Sequence, residues 1–161
     1  MGDRVTENIR DVEQMPVYQS FAQLALRVEK YTRRFGPDFR WLRVQCLRSS
    51  ESVCANMAEG FYSQYSTEYL QGLYRSRREA RETVYHVRYA LGVAQPENDT
   101  ASELISAYEA ACVQLANVIT SIERKISLRG KAKNMPSVVR EEIGEYEAET
   151  LGISDPISHL P

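Results

Sequence analysis

Apolar residues recur along this chain in four blocks, each stepping by three and four. Val17, Phe21, Leu24, Val28, Tyr31 and Phe35 form the first. Such steps put side chains on one face of an α-helix. Pro16, suited to the first helical position, marks its start, and Gly36-Pro37-Asp38 its end. The second block carries Phe39, Leu42, Cys46, Ser49 or Ser50, Val53 and Met57 inward, and Gly60 is a natural stop. Its middle is small (Ser49, Ser50, Ser52 and Ala55), so a neighbouring helix can come close. In the third block Leu70, Leu73, Arg77, Ala80, Val84, Val87 and Leu91 keep the period, with Ser66 or Thr67 as cap. One member, Arg77, is charged. A capping-box pattern, Thr100 to Glu103, opens the fourth. Its stripe is Leu104, Tyr108, Ala111, Leu115, Val118 and Ile122, widened by Ile105, Cys112, Ile119 and Ile126.

Four stripes of near-3.5 period predict an all-α fold: an antiparallel up-down-up-down four-helix bundle over 15–128, with left-handed packing. The link at 36–38 is too short for anything but an antiparallel turn. Breaks at 36, 60 and 92 argue against one long coiled coil. Residues 1–14 read as a flexible leader. Residues 129–161 read as a basic hinge, Arg129 to Lys133, and an acidic tail, partly disordered or a short helix.

A length of 161 residues suits one domain with a real core. No apolar run is long enough to span a bilayer, and the first residues lack a hydrophobic signal region, so a cytoplasmic protein is expected. Cys46, Cys54 and Cys112 form no CxxC pair and read as reduced core thiols. The formal net charge of −2 conceals a polarity. Residues 134–161 carry one arginine against six acids, residues 1–14 two arginines against four acids, and residues 15–133 a surplus of five positive charges. A basic body sits between acidic ends, and the acidic tail is expected to compete for whatever the body binds.

Carboxylate-bridged metal bundles use Glu-x-x-His pairs, and neither His86 nor His159 stands three residues after a glutamate. Glu82 and His86, four apart, read as an exposed helix pair. There is no glycine-rich phosphate loop and no nucleophile elbow, and the serines at 49–52 have no neighbouring histidine to activate them. No catalytic residue, metal or cofactor is therefore expected. Asn56, on the face of Ser49 and Ser52, reads as a polar residue that sets helix register. Glu59 lies near a helix C-terminus, where the dipole disfavours an acid, so it calls for a partner. Arg77 is the candidate, unless it faces a subunit contact or a wet pore, and Glu82 joins these as a polar core residue. On another face of the third helix, Tyr74, Arg78, Arg81, Tyr85 and Arg88 recur at helical spacing. Arginine fits phosphate and tyrosine stacks on bases, so this face is the candidate nucleic-acid surface. The competing reading is a solvated face with local pairs, Arg75–Glu79 and Arg78–Glu82.

Two blocks carry a family resemblance. Residues 47–60, Leu-Arg-Ser-Ser-Glu-Ser-Val-Cys-Ala-Asn-Met-Ala-Glu-Gly, are similar to an arginine–small–serine–valine stretch ending in Ala-Asn-Ile-Ala-Glu-Gly. Residues 78–85, Arg-Glu-Ala-Arg-Glu-Thr-Val-Tyr, are similar to a Lys-Glu-Ala-x-Glu-Thr-x-Tyr block. Both resemble a bacterial four-helix-bundle family, historically labelled ribosomal, whose members are encoded in intervening sequences of large-subunit ribosomal RNA genes or elsewhere in bacterial genomes. The likeness covers about 17–128. Where the family commonly has tryptophan after the tyrosine, this chain has His86, and Arg75 and Arg77 stand where aliphatics are common.

The resemblance implies an up-down-up-down bundle, a homo-oligomer with five-fold symmetry and no enzymatic activity. It extends to the accessory protein of diversity-generating retroelements, a basic pentamer that acts with a reverse transcriptase and nucleic acid. The expected function is a non-enzymatic adaptor that contacts RNA or DNA, or an enzyme acting on them. A protein-binding scaffold without nucleic acid is the alternative, and a metal-binding bundle enzyme is third.

Overall fold

The first stripe folds as its spacing requires. α1 spans Pro16–Thr32, with the proline in its first turn and Val17, Phe21, Leu24, Val28 and Tyr31 buried. The computed structural model describes residues 9–93 and 98–133. Among these, α2 spans Arg40–Phe61, α3 Ser66–Gly92 and α4 Asn98–Lys133, with 3-10 turns at Val12–Gln14 and Pro37–Phe39 and no strand.

Side-chain pairings give the directions. Across α2 and α3, Ser49 meets Thr83 while Val53 meets Ser76. Across α3 and α4, Tyr74 meets Glu123 while Arg88 meets Glu109. Across α1 and α4, Ser20 meets Gln114 while Arg27 meets Glu103. Each pair runs in opposite order along its two helices, so neighbours are antiparallel. α4 also packs against α1, which closes the bundle.

α2 and α3 make the tightest seam, and the small residues explain it. The Gly60 and Gly72 backbones cross so closely that a Cβ on Gly72 would stand 2.8 Å from the Gly60 Cα. Above the crossing, Ser76 Oγ donates to the Val53 carbonyl at 2.9 Å, and Thr83 Oγ1 donates to Ser49 Oγ at 2.9 Å. These buried bonds hold the register. Asn56 does not do so, contrary to the sequence expectation. Its Nδ2 donates to the Ser52 carbonyl of its own helix at 2.7 Å.

This close approach also turns α3. Its buried face is Gly72, Leu73, Ser76, Ala80, Thr83, Val84, Val87 and Ala90. Ser76 and Thr83 replace Arg77, Leu70 and Leu91 in the buried row. Arg77 lies at the edge of the core and not in it.

The helix ends differ from their sequence signals in four places. α2 continues through Gly60 to Phe61. The α3 N-cap is Tyr65 and gives no side-chain hydrogen bond, so Ser66 and Thr67 lie inside the helix. α4 begins at Asn98, which puts Thr100 inside its first turn. α4 also runs to Lys133 without the break expected at 129–133. Arg129, Lys131, Ala132 and Lys133 favour helix enough to offset Gly130. The tail from 134 onward lies outside the described residues.

Part of the leader is held in place. Asp11 caps the Val12–Gln14 turn in a capping box, and Val12 is buried. The Tyr62 hydroxyl donates to Asp11 Oδ1 at 2.7 Å and lies 3.5 Å from the Val12 N–H. The thiols are free: Cys46 is buried, and Cys54 and Cys112 half-buried. Burial pushes Cys46 up to about 12 and Cys54 up to about 11.

Candidate nucleic-acid interface

α3 carries four arginines in seven residues, Arg75, Arg77, Arg78 and Arg81. None falls in the buried row, so all project from the outer side of the helix or its edges. Glu79 is the acid among them. Only 12% of its side chain is accessible, and Arg78 lies 3.5 Å from it. Arg75 and Arg81 are exposed and make no ion pair among the described residues. The guanidinium of Arg77 stacks over the Tyr74 ring, 5.2 Å from its centroid.

Within the chain Arg77 therefore does not pair with Glu59. Arg77 packs on Tyr74, which reaches Glu123 of α4, while Glu59 is exposed on α2. Glu59 lines a shallow polar groove of about 460 Å³ with Gly60, Glu68, Gly72 and Arg75. An exposed acid needs no buried partner, because water screens it against the helix dipole.

The five candidates divide into two groups. Tyr74 and Arg88 are tied to α4. The Tyr74 hydroxyl donates to Glu123 Oε1, which pushes the phenol above its usual range. Arg88 meets Glu109 at 2.6 Å. Arg78, Arg81 and Tyr85 face outward, and Tyr85 is 63% exposed. α3 thus brings three of the five to open solvent and uses two as struts. The anticipated local pairs are also rearranged. Arg78 turns to Glu79, and Glu82 takes Arg48 of α2 at 3.1 Å.

Glu82 and His86 do come together, with Nε2 3.5 Å from Oε1. The third group there is the Arg48 guanidinium, and a cation on the same carboxylate suits a structural bridge and not a metal. Glu82 is therefore a half-buried tie between α2 and α3.

Sequence periodicity missed a further set. Trp41 and Val44 of α2 and Tyr89 of α3 are exposed, and the Trp41 and Tyr89 ring centroids lie 5.7 Å apart. The available signal was an aromatic at each of two positions off the apolar stripes. A stripe analysis assigns such positions to solvent and passes over them.

No helix among the described residues is long and apolar enough to cross a membrane. In a comparison with curated proteins, nothing matches the chain at a significant level. Residues 13–117 match the sequence profile of the family described as 23S rRNA-intervening sequence protein. That stretch takes in α1, α2, α3 and half of α4, including both sequence blocks and the whole arginine row. It is well over half of the chain, and the chain belongs to the 23S rRNA-intervening sequence protein family.

Proposed function

We propose that this protein is a non-enzymatic, homo-oligomeric adaptor whose α3 face contacts RNA or DNA. The observation that carries the reading is the arginine row Arg75, Arg77, Arg78 and Arg81, whose only interspersed acid is largely covered. A row of cations suits a phosphate backbone, and arginine suits it better than lysine; at its Arg75 end the exposed acids Glu59 and Glu68 share the same groove. The family's tie to ribosomal RNA genes agrees with this chemistry. A nucleic-acid enzyme such as a reverse transcriptase is a compatible partner, since it brings its own nucleic acid to the same face. The assembly implied by the family likeness is a pentamer. Exposed Leu26 on α1 and Val113 on α4 offer apolar surface for it.

Two measurements test the reading. Arg78→Glu with Arg81→Glu should weaken binding of a structured RNA at low salt by tenfold or more, at unchanged helix content. Light scattering coupled to size exclusion should give a multiple of the 18.4 kDa chain, with five expected. A clean monomer at tens of micromolar removes the ring. RNA binding that ignores the double substitution moves the site off α3.

A further inference from the structure

We propose that the outer α2–α3 face around Trp41 is a stacking platform for single-stranded nucleic acid. The proposal rests on the nucleic-acid reading and deepens it by naming the form of nucleic acid and the groups that take its bases.

Trp41 is 51% exposed and Tyr89 43%, and their rings meet at 64°. Tyr85 stands one helical turn from Tyr89, and Val44 nearly one turn from Trp41. Because α2 and α3 are antiparallel, the Trp41–Val44 row lies beside the Tyr89–Tyr85 row. The outcome is an exposed patch in which Trp41 and Tyr89 touch, with Val44 and Tyr85 exposed on their own helices nearby. A soluble bundle gains nothing from three large rings held in water, so a partner that covers them is expected.

The charges around the patch identify that partner. Arg40, one turn from Val44, is exposed and makes no ion pair among the described residues. Arg81 stands one turn from Tyr85 in the same condition. The nearby acid Glu82 is already held by Arg48. An approaching polyanion therefore meets two exposed arginines beside aromatic faces, with the Glu82 carboxylate already neutralised. A two-fold contact with a second copy would instead set this arginine rim against itself.

Geometry favours a single strand over a duplex. Bases in a duplex stack on one another about 3.4 Å apart, and their faces are unavailable. The Tyr85 and Tyr89 positions are separated by roughly one helical pitch, about 5.4 Å. Two bases resting there must be splayed apart, which only an unpaired strand allows.

Trp41 is the only tryptophan, so its fluorescence reports on the platform directly. The full chain is titrated at low salt with oligouridine of about twelve nucleotides and, separately, with an RNA duplex of equal length. The single strand should quench Trp41 emission saturably. Tyr85→Ala and Tyr89→Ala should each weaken its binding by about tenfold, with duplex binding nearly unchanged. Trp41→Phe should keep most of the affinity, because phenylalanine still stacks. Both tyrosines are largely solvent-facing, and circular dichroism checks that the variants stay folded. Single-strand binding without quenching, and insensitive to both tyrosines, overturns the platform and leaves the arginine row standing. Loss of all nucleic-acid binding overturns both. Trp41 emission that shifts with protein concentration alone, without nucleic acid, means that a second copy covers the patch and also overturns the platform.

Discussion

Replacing Gly72 with alanine should destabilise the protein, although mid-helix glycine-to-alanine changes ordinarily help. On helix propensity alone the change gains about 0.5–1 kcal/mol. The structure reverses the sign. A Cβ on residue 72 would lie 2.7 Å from the Asn56 carbonyl oxygen and 2.8 Å from the Gly60 Cα. Both are backbone atoms of α2 and cannot rotate aside, so α2 and α3 must part. Overpacking of this kind costs roughly 1–3 kcal/mol. Separation also stretches the buried Ser76–Val53 bond of 2.9 Å, which contributes about 0.5–1.5 kcal/mol. The net loss should be about 1–3 kcal/mol. In a chain of this size that lowers Tm by roughly 2–12 °C. The assay is thermal unfolding followed by circular dichroism, at matched protein concentration because assembly shifts Tm. Gly130→Ala is the internal control, since nothing lies within 4 Å of its added Cβ. It should be neutral or slightly stabilising. A Gly72→Ala protein that melts at or above the parent would refute the close crossing.

Three further outcomes are expected. Burial raises all three thiols, so a disulfide reagent at pH 8 should label Cys46, Cys54 and Cys112 slowly in the native protein and rapidly once it is unfolded; fast native labelling would contradict the buried placement. The hydrogen bond from Tyr62 holds the Asp11 carboxyl below its ordinary value of 3.8, so docking of the Val12–Gln14 turn is complete above that pH and weakens as pH falls through the lowered value; the protection factors of Gln14 and Met15, taken relative to intrinsic exchange at each pH, should fall on acidification, and Tyr62→Phe should lower them already at neutral pH. Truncation after Lys133 removes a segment with one arginine against six acids, and should tighten RNA binding at low salt if that segment competes for the basic body; unchanged affinity would dismiss the competition alone.

The architecture was legible because it depends on periodicity. The stripes on α1, α2 and α4 name most of the side chains found buried, among them Phe21, Leu42, Cys46, Met57, Leu104, Tyr108 and Leu115. α3 was harder to read. Its inner face is set by how closely two backbones approach, so Ser76 and Thr83 are buried where Arg77 kept the apolar period better. Small residues in α2 announced the close packing, but not which side of α3 would turn inward. The helix ends were hidden because caps are local signals that neighbouring turns override, as at Thr100 and Gly130. The candidate site was half legible. Spacing placed Arg78, Arg81 and Tyr85 on one face. It could not show that Tyr74 and Arg88 reach across to acids of α4, because such pairing depends on how the two helices are aligned. Trp41 and Tyr89 escaped for a similar reason. Each is an isolated aromatic in its own helix, and they become a surface only when α2 and α3 lie side by side.

The central claim is that the α3 arginine row meets a phosphate backbone. Its most direct test is the salt dependence of binding to a structured RNA, measured by fluorescence anisotropy. If Arg75, Arg77, Arg78 and Arg81 each release about one counterion, log K should fall against log salt with a slope of about −3 to −4. In the variant with Arg78→Glu and Arg81→Glu the slope should be shallower by about 2. A binding constant indifferent to salt, or no binding to RNA or DNA even at low salt, would contradict the account and leave the bundle as a scaffold for protein partners.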